Sequence, residues 1–324
     1  MKALRMLGLA VMAGLAACDG FEDIDLDEGG GGTAGGTFSR GFVFVRGTAR
    51  DVYAVDDVTG SANNPLRLTQ AGGAYEPTVS RNGRLVAYVY KSGTTLELRT
   101  VPTTGQGQPS TVFSSVDPVC ASSCSHFRAP TFSPDGSSIV FTVYRGSTTQ
   151  LAKVSTSGSG FTFLPNGGYS HLGSASFYPD GLNVLATAGS AREQTNILLK
   201  VPVNGGVTNV ISYNLGNEAV WVANRVVVSP DGTKVAFDGR ISSGVSRIFV
   251  APLNQTTLGT VSMVTDYVGE SGVDDRFPSW RGNTSLGFVS NSGGNDNIYS
   301  IDAAARRTTG RLLVPSGMEA SYGG

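Results

Sequence analysis

The chain has 324 residues and a formal net charge of −1, with only 15% of its residues charged and 44 of them glycine. So even a balance gives no basic patch for nucleic acid. Three cysteines and two histidines leave little for a zinc cluster, and acid–base chemistry would have to rest on carboxylates.

The chain opens MKALRMLGLAVMAGLAACDG, with Lys2 and Arg5 ahead of a short apolar run. That is the pattern of a secretory signal, and the run is too short to span a membrane as a helix. LAAC, Leu15 to Cys18, resembles the lipobox of bacterial lipoproteins. The resemblance implies that residues 1–17 are a lipoprotein signal peptide and that Cys18 is acylated as the mature N-terminus. Several acyl chains on one Cys anchor a protein far more firmly than a single chain does. Residues 18–40 read as a flexible tether, acidic and then glycine-rich, with too little apolar material to pack. Asp23, Asp25 and Asp27 fail as a calcium loop, because Glu28 stands where the turn glycine is needed and Ala34 where the closing glutamate belongs. Losing Lys2 and Arg5 takes the net charge to −3, and the six acidic residues from Asp19 to Glu28, with no basic one among them, leave +3 on the remainder.

Residues 41–324 have the size of one large all-β domain and show no long amphipathic helix. FVFVRG, DVYAVD and PLRLTQ, between Phe42 and Gln70, predict three strands. A repeat then begins: EPTVSRNG at Glu76, APTFSPDG at Ala129, SASFYPDG at Ser174, RVVVSPDG at Arg225 and FPSWRGN at Phe277. Each copy is followed by an apolar run such as IVFTVY, a second such as QLAKVS, and a weaker third such as FTFLPN. Four short strands separated by Gly, Asn and Asp turns, at a period of roughly forty to fifty residues, are the signature of propeller blades.

The first strand of each copy carries a compact third residue (Thr78, Thr131, Ser176, Val227, Ser279) and then a large apolar one (Val79, Phe132, Phe177, Val228, Trp280). An innermost strand crowds the axis, so its inward side chain must be small while the neighbour fills the space between blades. PDG supplies the turn: Pro fixes φ, Asp bonds the local backbone, and Gly takes positive φ. EASYG, with Ser321 and Tyr322, continues this phase with no blade after it, whereas the three N-terminal strands have no inner strand before them. The expectation is a six-bladed β-propeller of four-stranded antiparallel blades, the ring closed by the C-terminal strand joining the N-terminal blade. Such closure leaves few unpaired edges. Cys120 and Cys124, in CASSC, lie close enough in one connector to form a disulfide in an oxidising compartment.

FSPDG, VSPDG, FYPDG and GNDNIYSID are similar to the TolB-type propeller repeats, a six-bladed family of bacterial envelopes, over roughly residues 41–324. The resemblance implies the fold and an envelope address, not the identity of a partner.

No GxSxG, HExxH, P-loop or dinucleotide fingerprint is present; GYSHL at Gly168 lacks the last glycine, so Ser170 and His171 read as loop residues. In a propeller the connectors from a fourth strand to the next inner strand emerge on one face. Here they bring His126, His171, Trp221, Asp274, Asp275, Arg276, Arg128, Arg225, Glu76 and Glu319 around one mouth of the channel. This is the candidate binding face, with Trp221 an aromatic anchor and the arginines polar grips. No catalytic residue, cofactor or metal is assigned. The expected protein is a monomeric, exported envelope lipoprotein, held at either membrane or the cell surface through Cys18. Its propeller serves as a scaffold for an envelope protein partner and binds no nucleic acid. The alternative is a carbohydrate- or lactone-directed hydrolase or lyase, with a carboxylate pair at the mouth or a metal held by His126, His171 and a carboxylate.

Overall fold

The computed structural model describes residues 38–57, 65–121, 123–192, 195–214, 222–267 and 272–324. The expected signal peptide, Cys18, the expected tether up to residue 37 and Trp221 lie outside the described residues.

The chain enters with β1 (Gly41–Arg46), β2 (Asp51–Asp56) and β3 (Leu66–Arg67). Blade 1 follows as β4 (Ala74–Val79), β5 (Leu85–Ser92), β6 (Thr95–Pro102) and β7 (Ser110–Ser114). Blade 2 is β8 (Cys124–Phe132), β9 (Ser138–Arg145), β10 (Thr148–Ser155) and β11 (Thr162–Phe163). Blade 3 is β12 (His171–Phe177), β13 (Asn183–Gly189), β14 (Ile197–Pro202) and β15 (Asn209–Asn214). Blade 4 is β16 (Val222–Val228), β17 (Lys234–Arg240), β18 (Ser246–Pro252) and, after β19 (Thr257–Thr260), β20 (Ser262–Met263). Blade 5 is β21 (Asp275–Arg281), β22 (Ser285–Ser290), β23 (Asn297–Asp302) and β24 (Arg311–Val314). The last strand, β25 (Met318–Gly323), returns to the start and pairs antiparallel with β1, with Tyr322 opposite Phe42 and Ser321 opposite Val43. Blade 6 is therefore ordered β25-β1-β2-β3.

Blades 1, 4, 5 and 6 are separate four-stranded sheets, whereas blades 2 and 3 run into one path through a single parallel bridge, Thr149 to His171. β19, which the sequence pattern does not announce, leaves blade 4 and lies parallel to β15, covering the outer edge of blade 3. The PDG turns behave as their chemistry requires. Gly136, Gly181 and Gly232 take φ of 73°, 70° and 72°. Asp135, Asp180 and Asp231 each accept the N–H two residues on, from Ser137, Leu182 and Thr233.

No blade owns a core. The buried apolar side chains form six clusters, each between two neighbouring blades, and the large residue of each inner strand falls in a different one. Val79, Phe132, Phe177, Val228, Trp280 and Tyr322 are these six. Second strands alternate between two clusters: Val86 and Tyr88 pack toward blade 6, Ala87 and Val89 toward blade 2. A fully buried side chain of this size contributes about 1.5–3 kcal/mol, and here that gain exists only while both walls of the cluster stand.

The seam between the chain ends is polar at one point. Tyr322 packs edge-on against Phe42 with ring centroids 5.0 Å apart, and its hydroxyl donates to Asp57 Oδ2 at 2.8 Å. Arg281 of blade 5 donates to the same oxygen at 3.0 Å and lies over both rings. Burial, then the Asp57 carboxylate, pushes the Tyr322 phenol up to about 12. Phe38 already packs against the cluster between blades 6 and 1.

Removing residues 315–324 takes away β25 and uncovers Phe42 and Phe44, so the truncated chain is expected to lose its cooperative thermal transition. Tyr322→Ala in the full chain should cost about 3 kcal/mol in denaturant unfolding and Tyr322→Phe about 1–2 kcal/mol. A truncated chain that melts like the full one would contradict closure.

Candidate functional site: the channel rim

Every inner strand loses register at its start. The shifts fall at Tyr75/Thr78, Arg128/Thr131, Leu172/Ala175, Ala223/Arg225 and Arg276/Ser279, and in β25 between Met318 and Ser321. These are β-bulges at one level of the ring. Four of them hold a non-glycine residue at positive φ: Glu76 (47°), Ala129 (48°), Phe277 (56°) and Glu319 (51°). In three the next residue is Pro77, Pro130 or Pro278, which has no N–H to leave unpaired.

The bulges turn backbone donors toward the preceding blade. Glu319 Oε2 accepts the Glu76 N–H at 2.7 Å, and Glu76 Oε2 accepts the Ala129 N–H at 2.6 Å. Further round, Ser174 Oγ accepts the Val226 N–H and Ser176 Oγ the Val228 N–H. Arginines complete the rim. Arg50, in the hairpin between β1 and β2, donates to Glu319 Oε1 at 2.6 Å and lies 4.0 Å over the Tyr75 ring. Arg128 Nε donates to Glu76 Oε1 at 3.0 Å, and Arg225 Nη1 lies 3.8 Å from Glu76 Oε2 with its guanidinium over Phe277. Burial alone would raise the Glu76 pKa; Arg128 and then Arg225 overcome it and hold the carboxyl below its ordinary range.

Outward from Arg128 the rim becomes cationic. Arg128 Nη1 approaches the Tyr144 hydroxyl at 3.4 Å, Arg192 lies 4.6 Å over the Tyr144 ring, and the His126 ring is 5.5 Å from it. Partial burial, then Lys91, Arg192 and Arg128, lower the pKa of His126.

The sequence-predicted residues thus divide. Glu76, Arg128, Arg225 and Glu319 meet directly, and His126 adjoins them through Tyr144. Asp274, Asp275 and Arg276 are held locally near blades 4 and 5. Asp274 accepts the Ser246 N–H at 2.7 Å, buried Asp275 lies 3.9 Å from Arg247, and Arg276 pairs with Asp296 at 3.1 Å. His171 sits at the bridge to blade 2. Among the described residues no group of three or more His, Cys, Asp or Glu side chains is placed to hold a metal ion, so His126, His171 and a carboxylate are not gathered there. Arg50, Lys91, Tyr144 and Arg192 were missed. All four lie at or beside hairpins joining second to third strands, which open on the same face. Cys120 and Cys124 are disulfide-bonded and close the connector that leads into β8, with Cys120 fully buried.

This is a six-bladed β-propeller with a bulged, charged rim. No protein-family profile matches the chain, and no curated protein matches it either. Solved structures do. TolB of Acinetobacter baumannii is 17% identical with a TM-score of 0.66, over 89% of this chain and 67% of that one. A TolB-type protein of Agrobacterium tumefaciens is 15% identical with a TM-score of 0.55, over 89% and 94%. A chain of a nidogen/laminin complex is 10% identical with a TM-score of 0.59, over 87% and 98%. At these identities the likeness is one of fold.

Asp238 of blade 4 faces the same rim, accepting from Asn224 Nδ2 at 3.0 Å and the Arg225 N–H at 3.2 Å. Burial raises its pKa to about 6 against these contacts. The unfolded chain ionises first, so the favourable contribution of neutral Asp238 is complete below about pH 4 and is lost as pH rises to about 6. Asp238→Asn should therefore gain on the wild type by up to about 3 kcal/mol across that window in denaturant titrations. A stability difference independent of pH would contradict the burial.

Proposed function

We propose that the chain is an exported, lipid-anchored envelope protein whose propeller is a non-enzymatic scaffold, docking a protein partner on the face that bears the fourth-strand-to-inner-strand connectors. The rim carries this reading: Glu76 hydrogen-bonds Arg128 and ion-pairs with Arg225 while each guanidinium keeps donors free, and both arginines stand on the inner strands of a closed ring. The lipobox-like LAAC motif and a disulfide of the kind that persists in oxidising compartments support the envelope address. The TolB-like fold is compatible with such a scaffold.

The test is photo-crosslinking in cells from one face and then the other. Val116, exposed in the connector after blade 1, and Lys91 should give partner adducts, and Leu182, in a turn at the opposite end, should not. Adducts from Leu182 alone would overturn the choice of face. Cys18→Ala should move the protein from the membrane to the soluble envelope fraction; unchanged fractionation would remove the anchor.

A further inference from the structure

The docking face is not evenly charged. Between blades 1 and 3, Arg128, His126 and Arg192 converge on Tyr144, with Lys91 close enough to act on His126. Glu76 is the carboxylate that touches this group, and its capacity is taken: its oxygens hold Arg128 Nε and the Ala129 N–H and face Arg225. A guanidinium carries five N–H donors. Among the described residues the Arg225 side chain, 14% exposed with its Nη1 buried, makes no hydrogen bond, and Arg128, 54% exposed, uses Nε and Nη1 and leaves its Nη2 edge open. Such fixed forks match carboxylates in geometry as well as charge.

Resting on the docking proposal above, we infer that this side of the rim receives an acidic segment of the partner protein. Its carboxylates lie on Arg225 and on the open edge of Arg128, and Lys91 and Arg192 draw the segment in. Charge complementarity selects the occupant: the exposed charged groups are cations, and the carboxylates beside them are taken, Glu76 by Arg128, Glu319 by Arg50, and buried Asp238 by Asn224 and the Arg225 N–H.

Fluorescein-labelled hexaglutamate, titrated into the full chain and read by anisotropy, should bind saturably and weaken as NaCl screens the face. Hexalysine and hexaserine should not bind. Arg225→Gln should weaken hexaglutamate about tenfold. Because that change also leaves Glu76 with one partner fewer, a double variant, Lys91→Gln with Arg192→Gln, serves beside it. It lies on exposed positions and should weaken binding several-fold with an unchanged melting temperature. Equal binding by all variants overturns the inference. No binding while the rim crosslinks persist overturns it and leaves docking standing; loss of both removes docking as well. Arg225-dependent binding that is tighter to phosphatidylglycerol vesicles than to hexaglutamate would make a lipid headgroup the ligand. Binding that appears only after the acidic residues of 19–28 are changed to Asn and Gln would make the chain's own tether the occupant. Either outcome sinks the proposal.

Discussion

One strand pair between the chain's two ends determines whether the rest of the ring exists. β25 and β1 lie in blade 6, and the apolar clusters on either side of that blade each need it as a wall. Since every cluster in the ring has this shared form, opening the seam exposes two of them at once and frees the next blades to separate. The junction is made specific by Asp57, which takes the Tyr322 hydroxyl and the Arg281 guanidinium on one carboxylate. Three segments far apart in sequence, the end of β2, the end of β21 and the last strand, therefore meet on one charge that water cannot easily reach.

The seam also sets the geometry of the rim. Glu319 belongs to β25, and Arg50, which clamps it, belongs to the hairpin that follows β1. Glu319 holds the Glu76 backbone, and Glu76 in turn holds Ala129 and Arg128. A left-handed conformation costs a non-glycine residue about 1–2 kcal/mol, so Glu76, Ala129 and Glu319 keep theirs because these hydrogen bonds over-determine them. Strain and closure are linked: the strand that completes the ring also positions the first carboxylate of the relay ending at the arginines.

The sequence exposes the features that the axis imposes and hides those that depend on hydrogen bonding. Crowding at the centre forces the compact-then-large phase, so blade number, strand order and the part played by Tyr322 could all be inferred from residue type. Pro77, Pro130 and Pro278 were visible signs of the bulges, but nothing in residue type tells that Glu76 or Glu319 would stand at positive φ beside them. Topology located Glu76, Arg128, Arg225 and Glu319 on one face. Arg50, Lys91, Tyr144 and Arg192 reach that face from hairpins without a motif, and only the relative height of strands shows that both kinds of loop open together. Asp275 and Arg276 share the face yet are claimed by Arg247 and Asp296, a choice of partner no spacing rule contains. β19 is four residues long with one core side chain, Leu258, too short to show an alternating pattern, and it covers an edge.

A nearly balanced charge count conceals the character of this face, because acids and bases are not equally visible. A carboxylate can be buried only if donors meet it, and the bulges provide such donors as backbone N–H groups, so Glu76 and Asp238 sink into the rim. An arginine or lysine has a long apolar stem that packs while its head stays at the surface, so Arg128 and Lys91 remain in reach of solvent. Sorting the two signs by depth on this face gives a positive exterior over a negative interior, beyond what the small net charge of +3 on the remainder of the chain supplies. The repeated bulge, which looks like a defect of the inner strands, is thus the feature that concentrates a small net charge into a face with a sign.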